Sequence, residues 1–228
     1  MSYRLGVDIG GTFTDFVVYD EASGELHAWK NLSTPADPSE GVMTGLRTFG
    51  KQSEISGIRL GTTVATNALL EGKGARVAYV TTAGFRDIPF IMRGDRKHHY
   101  DLGWIKPKPF LKRRDAYEVS ERVGPSGEIL SPLNEDEVRA VAKKIAAEPE
   151  IGAVAVMTMH SYLTPDHEQR IKQIFAEEAP DLPVSISYEV LPKWKEHFRS
   201  STTICDAFIK PVVKDRIGSM KSRLEAEG

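Results

Sequence analysis

The 228-residue sequence has one cysteine, Cys205, so no internal disulfide can form. It has no apolar run near the roughly 20 residues that span a bilayer. It also has no dominant charge: the formal net charge is −2, with both signs well mixed, so nothing in the electrostatics favours nucleic acid or an anionic membrane as a partner. No internal repeat or low-complexity tract is present. Met1 to Leu5 lead directly into a strand pattern, without the apolar stretch of a secretory signal. Together these absences predict a cytoplasmic protein in a reducing setting, with neither nucleic acid nor membrane as partner.

What is present begins with a meander. Leu5, Val7 and Ile9 alternate with Arg4, Gly6 and Asp8, the period of a half-buried strand. Gly10-Gly11 breaks the run, Phe16 to Tyr19 resumes it, and a turn cluster at 20–24 leads into a third strand over 26–30. Ser39 is placed to cap a helix through Val42, Met43 and Leu46, closed by Gly50. A strand through Ile58 and Leu60 then enters Gly61-Thr62-Thr63 and a short helix over 64–70, followed by a buried-type strand at 77–80.

Residues 85–117 read as a long ordered loop carrying prolines, aromatics and the basic residues Arg93, Arg96 and Lys97. From 118 to 190 the pattern is strand, strand, helix, strand, helix, strand, which is an α/β subdomain. Gly124 to Gly127 signals a hairpin. Asn134 with Glu137 suggests a capping box, and Ala153 to Met159 a central strand covered on both faces. Pro183 to Val190 is expected to close the subdomain as a strand. The segment from Thr202 to Leu224 reads as a helix interrupted near Pro211, continuing toward something further. The resulting division is 1–84, 85–190 and 191–228.

The residues with most chemical content are Asp8-Ile9-Gly10-Gly11-Thr12-Phe13-Thr14-Asp15. Two glycines let the backbone approach a phosphate and turn N–H groups toward it. Thr12 and Thr14 add hydroxyl donors. Asp8, at a strand end, is placed to hold Mg²⁺ through water, since that ion dehydrates reluctantly. Asp15 is placed to orient a water or a threonine hydroxyl. An isolated Gly-Gly turn is more often a plain hairpin. Here the turn is too long and too rich in hydroxyls for a minimal one.

This block resembles the opening phosphate motif of the hydantoinase A/oxoprolinase family. Gly61 to Glu71, Thr82 to Asp87 and Arg199-Ser200-Ser201-Thr202-Thr203 resemble further blocks of the same family. The first block alone is shared with many sugar kinases; the combination is specific. The resemblance covers residues 4 to about 213. It implies a ribonuclease H-like fold of the actin/hexokinase type with an additional α/β subdomain. It further implies an ATP- and Mg²⁺-dependent enzyme acting on a small-molecule carbonyl substrate, either a cyclic amide that is opened or a ketone that is carboxylated with bicarbonate. Gly10, Gly11, Thr12, Phe13 and Thr14 would be the nucleotide contacts, with Asp8 and Asp15 as catalytic residues and Asp8 as the metal residue. Family members carry a second glycine-rich phosphate motif and an adenosine-binding segment that are not found here. The resemblance therefore implies a carboxy-terminal half or hydantoinase B-like partner subunits; a non-catalytic docking module is the alternative of another class.

Thr62, Thr63 and Asn67 stand where a strand hands over to a helix, a favoured position for ligand contacts, although helix capping explains the same residues. Arg93 is a candidate for an anionic substrate or bicarbonate; charged loops are more often simply solvated. For Arg199 a helix-start role is at least as good a reading as substrate binding. Gly72-Lys73-Gly74 is not a P-loop, because the required Ser or Thr after the lysine is missing. His98-His99 lack further ligands at metal spacing, and adjacent histidines on an extended chain face opposite ways. Cys205 has no base nearby in sequence and reads as a packing residue.

Overall fold

The computed structural model describes residues 2–34, 37–94, 98 and 100–226. The chain divides into two units, 1–71 with 212–228, and 72–211. Among the described residues no helix is long and apolar enough to cross a membrane.

In the first unit, strands β1 (Tyr3–Ile9), β2 (Phe13–Asp20) and β3 (Leu26–Leu32) form the expected antiparallel meander. Helix α1 (Pro38–Phe49) follows, then strand β4 (Ile55–Thr62) and helix α2 (Val64–Glu71). β4 runs parallel beside β1, giving the sheet order β3-β2-β1-β4. One face carries the core. Leu5, Val7, Ile9, Phe16 and Val18 pack with Val42, Met43 and Leu46 of α1 and with Met220. Phe16 stacks on Trp29, whose indole stacks on Phe49.

The cap of α1 is Asp37, not Ser39: its carboxylate accepts the Ser39 N–H at 3.1 Å, while Ser39 itself is buried inside the first turn. Pro38 occupies the first helical turn, where its missing N–H is harmless.

The second unit opens with β5 (Arg76–Thr82), the short helix α3 (Ile88–Ile91) and β6 (Ala116–Val119). The hairpin β7 (Arg122–Val123) and β8 (Ile129–Ser131) precedes α4 (Glu135–Ala146), β9 (Ile151–Met157) and α5 (Asp166–Glu178). β10 (Val184–Ile186), the short α6 (Ser187–Val190) and α7 (Glu196–Ala226) complete the chain. The sheet is entirely parallel, in the order β10-β9-β5-β6. Ala78, Val80, Val154 and Val156 face Val138, Ile145, Ile171 and Phe175 of α4 and α5 in a solvent-free core.

Three expectations change. β5 pairs with β6 and β9, so the boundary falls after residue 71 rather than after 84. A continuous apolar strand announces that it is central, but not in which sheet. Residues 187–190 turn into α6 instead of prolonging the strand, because the backbone closes a helical turn in which Leu191 N–H bonds Ser187 O at 2.8 Å. Finally, α7 runs through Pro211 without a break. Proline forfeits one intrahelical hydrogen bond, and the helix continues on either side of it.

Candidate functional site

The connection between β1 and β2 is the three-residue loop Gly10-Gly11-Thr12. Its ends are joined by the Gly10 N–H, which donates to Phe13 O at 3.0 Å. A Cβ on Gly10 would stand 2.8 Å from that same oxygen, so the close approach demands glycine. A Cβ on Gly11 would meet nothing within 4 Å. Gly11 and Thr12 are exposed, and among the described residues no acceptor takes either N–H. The loop therefore presents two adjacent backbone donors to an open face, the arrangement that suits a phosphate oxygen.

Strand register places the carboxylates. Asp8 of β1 lies directly opposite Asp15 of β2 and beside Gly61 of β4, with Lys30 of β3 next to Asp15. Paired residues share a face, so Lys30, Asp15, Asp8 and Gly61 form one row across the exposed side of the sheet. A Cβ at Gly61 would come within 3.0 Å of Asp8 Oδ1; the glycine is what leaves room for that carboxylate. Two like charges directly opposite each other destabilise a strand pair, and a cation between them removes the penalty. The donor set (two carboxylates and open amides beside a glycine-made gap) fits Mg²⁺ and phosphate chemically.

Other expected contacts lie elsewhere. Thr14 is fully buried on the opposite face from Asp15, its hydroxyl paired with Ser33 Oγ at 3.0 Å, so it does not project toward the phosphate side. Phe13 is 42% exposed and lies under the Lys30 ammonium. Thr62 pairs with Ile9 and so points away from Asp8, into a cavity of about 400 Å³ lined also by Ile9, Leu60 and Met220. Thr63 and Asn67 are exposed at the start of α2 and bond to each other, Asn67 Nδ2 donating to Thr63 Oγ1 at 3.3 Å. Arg93 belongs to the second unit, where its guanidinium lies over the Phe198 ring.

His98 is exposed, while Asp95, Arg96, Lys97 and His99 lie outside the described residues. Among the described residues no group of three or more His, Cys, Asp or Glu gathers as a metal cluster. Cys205 is half-buried, and burial pushes its thiol up from the ordinary value, away from nucleophilic use.

The residue missed by sequence reasoning is Ser33. Its hydroxyl donates to Gly10 O at 2.8 Å, and its N–H donates to Thr12 O at 2.9 Å, so it holds both ends of the loop. Only the register of β2 on β3 brings it there, and spacing along the chain carries no sign of it.

Residues 4–179 match the family model of the hydantoinase/oxoprolinase N-terminal region. The chain belongs to the hydantoinase/oxoprolinase family. It is 32% identical to the acetophenone carboxylase gamma subunit of Aromatoleum aromaticum over 98% of this chain and 33% of that one. It superposes on the crystal structure of the ATP-dependent caprolactamase from Pseudomonas jessenii with a TM-score of 0.85 at 31% identity, covering 97% of this chain and 33% of that one. It superposes on nucleotide-free acetone carboxylase with a TM-score of 0.84 at 24% identity, covering 99% and 34% of the two chains, a likeness of fold. The chain thus spans about a third of the length of each of these proteins. The fold is α/β, with a ribonuclease H-like sheet of the actin/hexokinase type and an additional α/β unit.

Proposed function

We propose that this chain supplies one wall of the ATP site in an enzyme that phosphorylates a small carbonyl compound. The observation that carries the reading is the row Asp15–Asp8–Gly61 beside the open Gly11 and Thr12 amides. In this reading Gly11 and Thr12 receive phosphate oxygens, and Gly10 serves as the hinge of the loop. Asp8 would hold Mg²⁺, and Asp15 would orient a water or a threonine hydroxyl. The bound ion would neutralise charge on the transferring phosphoryl group. Thr63 and Asn67 stay available at the exposed start of α2; Thr14 and Thr62 do not. The remaining wall belongs to a carboxy-terminal half or to partner subunits.

The preferred substrate is a cyclic amide, whose oxygen is phosphorylated before the ring opens; the likeness to caprolactamase favours it. The likeness to the acetophenone carboxylase gamma subunit favours a second reading, in which a ketone is phosphorylated and then carboxylated. ATP hydrolysis by the complete enzyme separates them. Stimulation by a cyclic amide without bicarbonate supports the first, and a requirement for ketone plus bicarbonate supports the second. Stimulation by neither would overturn both.

A further inference from the structure

The sheet of the first unit ends on β3, and among the described residues no strand pairs with its outer side. Two bonds at the strand ends fix which of its backbone groups are already used. Asp20 N–H donates to Glu25 O at 2.9 Å, and Ser33 N–H donates to Thr12 O at 2.9 Å. An antiparallel ladder alternates every two residues, so residues 25, 27, 29, 31 and 33 bond toward β2. Leu26, Ala28, Lys30 and Leu32 therefore turn their N–H and C=O groups outward. Lys30 O takes one local bond, from the Asn31 side-chain amide at 3.0 Å, and keeps a second lone pair.

Exposed edges are ordinarily blunted by proline, a bulge or charged side chains. β3 has no proline, pairs with β2 without a register shift, and carries one permanently charged residue, Lys30. It presents Leu26 and Leu32 to solvent instead, 67% and 70% exposed. Each extends an apolar row on the same face of the sheet: Phe13 lies beside Leu32 and Tyr19 beside Leu26, both exposed as well.

These residues are spaced symmetrically about Trp29. When β3 meets another β3 antiparallel, with Trp29 on the two-fold axis, Leu26 stands opposite Leu32 of the second copy and Ala28 opposite its Lys30. Both are pairs of outward-facing residues, as the ladder requires. Each apolar row then runs unbroken across the seam, from Phe13 and Leu32 to Leu26 and Tyr19 of the second copy. A slip of two residues one way sets Lys30 against Lys30, and like charges directly opposite destabilise a strand pair. The same slip the other way sets Leu26 against Lys30. The register centred on Trp29 is the one that matches leucine to leucine.

We propose that β3 is a dimerisation edge: two copies of this chain pair through it, in that register, and join their four-stranded sheets into one. The inference stands apart from the ATP reading, since the loop amides and the Asp8–Asp15 row belong to β1, β2 and their connection. A seven-residue edge lies at the small end of specific interfaces, so the dimer is reversible.

Sedimentation equilibrium of the full chain tests it. The mass rises with concentration from 25.3 kDa toward twice that value. Leu26→Glu with Leu32→Glu places carboxylates opposite each other at both ends of the seam and sediments as a monomer throughout. Leu26→Lys with Leu32→Glu places opposite charges there and dimerises again. All four substitutions fall on exposed side chains, so the fold is kept. Disulfide trapping in a Cys205→Ser background reads the register. Hydrogen-bonded partners have Cα atoms about 5.5 Å apart, within the span of a disulfide. Ala28→Cys chains link to Lys30→Cys chains in a mixture, and neither links to itself. A wild-type monomer at every concentration, or a dimer that survives the double glutamate variant, would overturn the proposal. So would a Lys/Glu variant that stays monomeric, or self-linking of either cysteine variant in preference to the mixed pair.

Discussion

Arg199 and Glu168, both shut off from solvent, meet through a shared hydroxyl: Ser161 Oγ accepts from Arg199 Nη1 at 2.5 Å and donates to Glu168 Oε1 at 2.8 Å. Ser187 Oγ repeats the bridge, at 3.3 Å to the guanidinium and 2.7 Å to the carboxylate. Glu168 also accepts the N–H groups of Thr158 and Tyr188. The first residue of the Arg-Ser-Ser-Thr-Thr block is thus a tie between α7, the end of β9 and α5. Burial pushes Glu168 up and Arg199 down from their ordinary values, while the surrounding donors oppose the shift at Glu168.

Removing one member of such a buried set strands the other. Arg199→Met is expected to cost about 3–5 kcal/mol of unfolding free energy at neutral pH, read from urea denaturation. The sign with pH follows from Glu168. Its folded-state value lies above the unfolded one, so its contribution favours the fold at low pH and is lost as pH rises through that window. The Arg199→Met deficit therefore shrinks on acidification. A deficit independent of pH would show that the stranded carboxylate is not its cause.

Asp8→Asn removes the charge but keeps the shape beside Gly61. If Asp8 holds the ion, turnover of the complete enzyme falls about 100-fold, while circular dichroism and Tm stay near wild type. Turnover within a few-fold of wild type would exclude a metal role for this carboxylate.

Gly45 lies against the face of Phe16, and a Cβ there would stand 2.0 Å from the ring. Phe16 is fully buried and stacked on Trp29, so it has no room to yield. Gly45→Ala is expected to destabilise the first unit by about 1–3 kcal/mol despite alanine's better helix propensity. Chemical denaturation followed by tryptophan fluorescence, with Trp104 and Trp194 replaced by phenylalanine so that Trp29 alone reports, would read it.

Asp37 accepts from the Ser39 hydroxyl and N–H and faces Arg223, which together hold its carboxyl below the usual range. Because its folded-state value is depressed, it adds stability above the unfolded value of 3.8, and that contribution is lost as pH falls through the folded value. Asp37→Asn should therefore lower the urea midpoint near neutrality and flatten its decline in acid. A parallel downward shift at every pH would assign the loss to capping geometry alone.

The legible parts of the fold are those with local causes. Alternation in β1 and β2 announced the meander, and Gly10-Gly11 announced the loop. The same alternation, continued through Thr14, Phe16 and Val18, places Thr14 inward once the loop is seen to end at Phe13. Ser33, Gly61 and the Arg199 tie were not legible as site or core partners, since each acts across a register or a helix-to-sheet contact. The membership of β5 failed for a related reason: its apolar run looks the same in either sheet.

The first unit is assembled from both ends of the chain, with residues 72–211 between its two parts. At roughly 5–20 residues per second, a ribosome needs about 7–28 s to make those 140 residues. The meander and α1 can pair during that interval, but Met220, which closes their core, does not yet exist. A nascent chain thus carries its phosphate loop on an unfinished sheet, with the pocket beside Ile9 and Leu60 unroofed. Slow translation of residues 72–211 would lengthen that exposure, and aggregation during synthesis is its natural cost.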